Sequence, residues 1–317
     1  MKDQHAPTVD RAKFADPDRT ADGAPRAKVR LERLRTLWIN TGTLCNITCA
    51  NCYIESSPVN DRLAYIRLDE VVAYLDEIAG EGLPVKEIGF TGGEPFMNPE
   101  IIEMLEEALV RGFEVLVLTN AMRPMMRPRL QAGLRMLGTR FGPRLTLRVS
   151  LDHYTPALHD AERGAGSFDR ALEGMHWLAR EGLRMSVAGR SIWGESEAQA
   201  RAGYAALFEA EGLGIDAFDP AQLVIFPEMD ANADVPEITE ACWGILGKSP
   251  GEVMCASARM VVKRKGAEHP VVVACTLLPY DPRFEMGRTL AEAGGAVALN
   301  HPHCAKFCVL GGASCSA

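Results

Sequence analysis

The 317-residue chain has no uninterrupted apolar run of the roughly 18 residues that a membrane-spanning helix needs. Its opening residues, MKDQHAPTVDRAKFADPDRT, lack the apolar stretch of a secretion signal. It also lacks a surplus of positive charge. Thirty-four Lys and Arg against 42 Asp and Glu leave a net charge of −8, which argues against a nucleic-acid footprint spread over the surface. These absences predict a cytoplasmic protein with no nucleic-acid or membrane partner. What is present, 47% apolar and 24% charged residues, is the mix of a folded globular protein.

Cysteine is plentiful and unevenly placed. Of the nine, Cys45, Cys49 and Cys52 lie within eight residues, five lie between Cys255 and Cys315, and Cys242 is left over. The count is odd and no secretion signal precedes it, so clustered thiols read as metal ligands or redox groups rather than as a disulfide framework.

Residues 34–250 alternate strand-like and helix-like runs. Apolar β-type segments occur at 36–40, 85–91, 113–119, 145–151, 183–188 and 221–226. Between them, Val71, Val72, Leu75, Ile78 and Ala79 follow a helical period that stops at Gly80 and Gly82. Asn98 and Pro99 open a helix carrying Ile101, Ile102, Leu105 and Leu109 and ending at Gly112. Further helices are expected from Pro128, with Leu130, Leu134 and Leu137 on one face, from Ser167 to before Gly182, over 198–211, and over 236–246. Six such units predict an α/β fold with a parallel sheet, either doubly wound or a complete or partial (β/α) barrel. Both arrangements place function at the C-terminal ends of the strands. Residues 1–33 read as a polar lead-in without regular structure. From residue 251 the pattern becomes a β-hairpin, 258–265 and 271–277 around Gly266, with a short helix over 287–293. The tail HPHCAKFCVLGGASCSA is too rich in Gly and Cys for a regular element. The chain thus divides into 1–33, a core at 34–250 and a small metal-stabilised domain at 251–317.

Four motifs sit at successive strand ends. CNITCANC follows the first strand, and three thiolates so close can bind one metal centre while leaving a fourth position open. TGGEP, residues 91–95, follows the second; its glycines allow close backbone approach to a ligand, and Glu94 places a carboxylate suited to an amino group beside them. Thr119–Asn120 ends the third strand and Ser150–Leu151–Asp152 the fourth.

On these residues the chain resembles the radical S-adenosylmethionine (SAM) enzymes, in their SPASM/twitch branch. Cys45, Cys49 and Cys52 match CxxxCxxC, and Gly92, Gly93 and Glu94 match GGE. The resemblance implies a partial (β/α)6 barrel followed by a small cysteine-rich hairpin domain. It implies a [4Fe–4S] cluster on the three cysteines, with SAM on its fourth iron. Gly92, Gly93 and Glu94 would hold the SAM amino group, and Ser150 and Arg190 its ribose or carboxylate, with Asn120 and Asp152 at neighbouring strand ends. Asn51, not an aromatic residue, precedes Cys52, so Tyr53 is the positional candidate for the adenine contact. An electron from a low-potential donor such as flavodoxin or ferredoxin would cleave SAM to a 5′-deoxyadenosyl radical that abstracts a substrate hydrogen.

The C-terminal cysteines resemble a shortened, twitch-like domain with one auxiliary [4Fe–4S] cluster, on Cys255, Cys275, Cys304 and Cys308 or with Cys315 as a ligand. Such a cluster suits an oxidation or crosslinking of a small molecule or peptide. The 33 residues before the first strand are too few for a leader-binding module, so a peptide maturase of this kind would take its substrate from a separate leader-binding partner. The alternatives are a zinc site in the C-terminal segment and, for the whole chain, a non-catalytic zinc-binding interaction module. Weaker features are Lys263, Arg264 and Lys265 (a solvated turn or a contact for an acidic donor), His301 and His303 beside Cys304, His153 and His159 near the fourth strand end, and Cys242 in a helix core.

Overall fold

The structure, a computed structural model, describes residues 12–228, 230 and 234–312. In chain order the elements are β1 (Lys28–Val29), β2 (Thr36–Asn40), α1 (Leu68–Gly80), β3 (Glu87–Thr91), α2 (Ile101–Val110), β4 (Glu114–Thr119), α3 (Pro128–Phe141) and β5 (Leu145–Ser150). They continue with α4 (Pro156–Arg163), α5 (Ser167–Arg180), β6 (Arg184–Ser191), α6 (Glu197–Ala210), β7 (Leu223–Pro227) and α7 (Cys242–Leu246). The last four strands are β8 (Ala258–Val262), β9 (Val271–Val273), β10 (Glu285–Gly287) and β11 (Val297–Ala298).

Nine strands form one open sheet in the order β10-β9-β8-β2-β3-β4-β5-β6-β7. From β2 to β7 every neighbour is parallel and the order follows the chain without reversal. A doubly wound sheet reverses at a switch point, so this is the winding of a barrel segment. The alternation of side chains confirms it. Leu37, Ile39, Ile88, Phe90, Val115 and Val117 pack into one core with α1, α2, α3, α5 and α6. Trp38 and Leu116 point to the opposite face, where they meet Phe14, Ala27 and Val29 from the N-terminal segment and Phe307 and Val309 from the C-terminal one. Trp38 fits there because its neighbour is Gly89: a Cβ at Gly89 would lie 2.4 Å from the indole.

The C-terminal hairpin joins the same sheet. β8 lies parallel to β2, with Thr36 opposite Ala258, and pairs antiparallel with β9. The hairpin around Gly266 is as expected, but it continues the core sheet directly.

Several sequence expectations are corrected. Residues 12–33 are not a loose lead-in: β1 pairs with β11, and Phe14, Ala27 and Val29 are buried. The buried Arg26 forms an ion pair with Glu237 and donates to the carbonyls of Asp16, Arg19 and Leu299. The helix expected over 236–246 is only α7, because residues before it run extended and bond to the N-terminal segment, Ala27 N–H donating to Ile238 O at 2.9 Å. The helix expected over 287–293 reduces to a 3₁₀ turn at Glu292–Gly294, preceded by the short strand β10. The cysteine-rich tail does form a regular element, a π-helix at Cys304–Leu310, in which Gly311 N–H reaches Lys306 O at 3.0 Å. Burial of Ala305, Phe307 and Val309 outweighs the glycines that follow. Lys263 is not solvated either: it is buried against Glu70. Cys242 is half-buried at the start of α7, its sulfur 3.4 Å from the Thr239 hydroxyl.

Candidate active site

The C-terminal ends of β2 to β6 converge on one cavity of about 160 Å³, with Phe226 of β7 at its wall. The loop after β2 carries the three cysteines, and all three line it as free thiols. Tyr53, Gly92, Gly93, Asn120, Ser150, Asp152 and Arg190 line it too, so five strand ends deliver the residues that the sequence singled out.

Backbone contacts fix the cysteine loop in place. Gly93 N–H donates to Gly42 O at 2.7 Å and Glu94 N–H to Leu44 O at 3.1 Å. That approach needs glycine. A Cβ at Gly93 would lie 2.2 Å from Leu44 O, and Gly92 adopts φ +151° with Gly42 O 2.5 Å from where its Cβ would be. The far end of the loop is held by α4, where Ala50 N–H donates to Glu162 O at 2.7 Å and the Asn51 side chain to the Glu162 carboxylate at 2.7 Å. Arg190 reaches both Asn51 O at 3.3 Å and Glu162 at 3.4 Å.

Glu94 differs from expectation. It does not line the cavity but lies behind the two glycines, where its carboxylate accepts from the Thr119 hydroxyl (2.8 Å), Asn120 N–H (2.8 Å) and Phe96 N–H (3.2 Å). Burial raises its pKa to about 7 against those hydrogen bonds. Asp152 is likewise engaged: Arg163 donates to both its oxygens, at 2.7 and 2.9 Å. Burial pushes the Asp152 carboxyl up, but Arg163 outweighs it and holds the group below its usual range.

Arg163 and Glu162 are functional candidates that the sequence reading missed. Both lie at the end of α4, a helix whose Thr155–Pro156 start was a readable signal. Arg163 lines the cavity, and its charge acts on Asp152, Cys49 and Cys45. His153 and His159 do not line the cavity. His153 pairs with Glu195 at 3.1 Å, and His159, buried, accepts from Asp152 N–H at 3.2 Å, its pKa lowered to about 4 chiefly by burial.

Left as a thiol, Cys45 is pushed up to about 12 by burial, with Glu94 adding to it. Such a group ionises near neutral pH only when a cation takes its place beside it, which a metal centre supplies. Three free thiols on one cavity, with Arg163 for charge balance, fit an iron–sulfur centre with an open position.

A second, apolar cavity lies under the hairpin. Cys255 and Cys275, at the open end of β8 and β9, line it together with Cys304 and Cys308 of the π-helix. Cys315 lies outside the described residues. Among the described residues no three His, Cys, Asp or Glu side chains close to the spacing of a single metal ion; a four-iron cluster takes each thiolate at a different iron and spreads its ligands wider. His303 lines this cavity with its Nδ1 buried and without a hydrogen-bond partner, whereas His301 does not line it. Arg259 is buried beside Cys255 and Cys275 and donates to the backbone carbonyls of Ala293, Cys255, Ala258 and Gly295. Leu277 borders both cavities.

Known proteins align with this arrangement. The antilisterial bacteriocin subtilosin biosynthesis protein AlbA of Bacillus subtilis (strain 168) is 32% identical over 154 residues, 47% of this chain and 32% of its own length. The Fe-coproporphyrin III synthase of Methanosarcina barkeri is 31% identical over 147 residues, 45% of this chain and 33% of its own. The matched part of the chain thus spans about a third of these relatives. Streptococcus suis SuiB, solved with bound S-adenosylmethionine, shares the fold with a TM-score of 0.58 at 11% identity, over 81% of this chain and 63% of that one. Residues 39–192, just under half of the chain, match the family model of the Radical SAM superfamily.

Proposed function

We propose that this protein is a radical SAM enzyme that modifies a peptide by hydrogen abstraction, with a [4Fe–4S] cluster on Cys45, Cys49 and Cys52. The observation that carries the reading is the convergence of three free thiols and of residues from five strand ends on one cavity. When bound, the cluster and SAM supply one-electron cleavage of the cosubstrate to a carbon radical that takes a hydrogen atom.

The chain's own residues supply position and exclusion of water. Gly92 and Gly93 present backbone at the cavity wall, and Glu94, from behind them, orients Asn120 and Thr119. Arg163 and Arg190 bring positive charge to the side where an amino-acid carboxylate would be met, and Ser150 adds a hydroxyl. Tyr53 offers a ring for the adenine. Phe226, Leu277 and Phe307 close the cavity with apolar surface, the last two from the C-terminal segment.

The second cavity is read as the seat of an auxiliary [4Fe–4S] cluster on Cys255, Cys275, Cys304 and Cys308. Support comes from the four thiols on one cavity and from Arg259, a buried cation that an anionic cluster would balance. Residues 251–312 thus act as the cluster-binding part while sharing the core sheet. A peptide substrate is supported by the bacteriocin-biosynthesis relative, and a small-molecule substrate is the second reading, favoured by the porphyrin-synthase relative.

Anaerobic reconstitution followed by iron and sulfide analysis tests the reading. About eight irons per chain are expected for two clusters, with 5′-deoxyadenosine formed from SAM on addition of dithionite. A Cys49→Ala variant should lose the nucleoside product, and zinc without iron in the wild type would overturn the assignment.

A further inference from the structure

The three-cysteine loop has a second side. A groove of about 510 Å³, sharing no lining residue with the active-site cavity, runs along its outer face. Asn46 and Ile47, between Cys45 and Cys49, form one wall, and the segment after β4 brings Met122, Arg123, Pro124 and Arg127. Met97 and Arg170 complete it.

Two properties set this groove apart. Arg123, Arg127 and Arg170 are all exposed, and among the described residues none is paired with a carboxylate. Their neighbours Arg129, Arg135 and Arg140, on α3, each have a Glu partner. On a chain with net charge −8, three guanidiniums around one recess, bonded at most to backbone carbonyls and with no carboxylate partner among the described residues, make a local reversal of sign. The recess also touches the cluster ligands closely. Asn46 Nδ2 lies 4.0 Å from Met122 Sδ on the groove side, and its Oδ1 lies 3.9 Å from Cys45 Sγ on the cavity side. Asn120 Nδ2 donates to that same oxygen at 2.9 Å and holds Asn46 in place.

We propose that this groove is the docking site of the reductant, and that the reductant is flavodoxin. The inference rests on the cluster assignment for Cys45, Cys49 and Cys52. A donor must give one electron to a cluster whose ligand Cys45 is buried and whose inner side faces the substrate cavity. The outer face of the loop is the short way in, through Met122, Asn46 and Cys45. An acidic donor would be repelled by most of this surface and drawn to the three arginines. The apolar floor of Ile47, Met97 and Met122 suits the exposed dimethylbenzene edge of a flavin better than the polar rim of a ferredoxin. In the step itself the donor is oxidised by one electron and the cluster reduced by one, with no atom transferred. Electrons and substrate therefore reach the cluster from opposite sides.

The test uses the reconstituted full chain with an Arg123→Glu/Arg170→Glu double variant, neither residue being part of the SAM site. Binding of oxidised flavodoxin should weaken about tenfold or more and lose most of its salt dependence. The rate of SAM cleavage driven by reduced flavodoxin should fall in step, while cleavage driven by dithionite should stay at the wild-type rate. Unchanged flavodoxin binding in the double variant would overturn the proposal, as would wild-type binding of a ferredoxin alone. Failure of dithionite-driven cleavage in the wild type would instead overturn the cluster assignment, so the two outcomes are told apart.

Discussion

Glu94 carries a consequence that its place in the GGE motif alone does not give. Its pKa lies near 7 in the folded chain, above the roughly 4.3 of an exposed glutamate, so the folded state holds a proton that the unfolded state has released. The stability that this group contributes is full below about pH 4.3 and is lost as pH rises toward 7. Cluster-free wild type should therefore lose stability relative to a non-titrating Glu94→Gln variant across that window, by chemical denaturation at stepped pH. A flat difference would show that burial of Glu94 is not what sets its protonation. Arg259 makes a second case. If the cluster under the hairpin is present, removing the buried Arg259 cation in Arg259→Met should lower that cluster's reduction potential and leave the other unchanged. Potentiometric titration followed by EPR separates the two signals. Among residues, the motif cysteines and glycines were legible because their chemistry is written in their spacing. Arg163 and Glu162 were not, because their role depends on α4 folding back over the cysteine loop.

Elements meet at glycines, and there the sequence could be read only in part. A Cβ on Gly174 of α5 would lie 1.9 Å from Ala121 O, in the turn that leads from β4 into the arginine groove. Gly174→Ala should cost about 1–3 kcal/mol, measured as a lowered denaturation midpoint, and an unchanged midpoint would mean that the helix moves freely. The six main strands were legible from apolar runs, and β2 matches its expected bounds of 36–40. The shortest strands were not. β1 and β11 are two residues each and β10 three, too short for any alternation to register, and their pairing is decided by partners far along the chain. The π-helix was missed for a different reason. Glycine and cysteine content argues against a helix, but Phe307 and Val309 are buried in the core below Trp38, and that packing decides.

At the scale of the whole molecule, the continuous sheet predicts one cooperative unit. Glu237→Ala would leave the Arg26 guanidinium buried without its counter-charge and should destabilise by about 3–5 kcal/mol. The same loss should appear in a probe of the core and a probe of the C-terminal segment, since β8 is hydrogen-bonded to β2. Two separate transitions would show instead that residues 251–312 fold alone. The winding of the core was legible from the order of its units, but the return of the last strands to β2 was not, because no local pattern records which edge a strand will join. The pairing of β1 with β11 has a consequence for biosynthesis. On the ribosome, Lys28 and Val29 leave the exit tunnel long before Val297 and Ala298 are made, and they wait unpaired until then. Until Leu277 and Phe307 are made, the face of the sheet that carries Trp38 and the cavity beside Cys45, Cys49 and Cys52 lack their apolar cover, so these three thiols are more accessible in the nascent chain than in the folded protein.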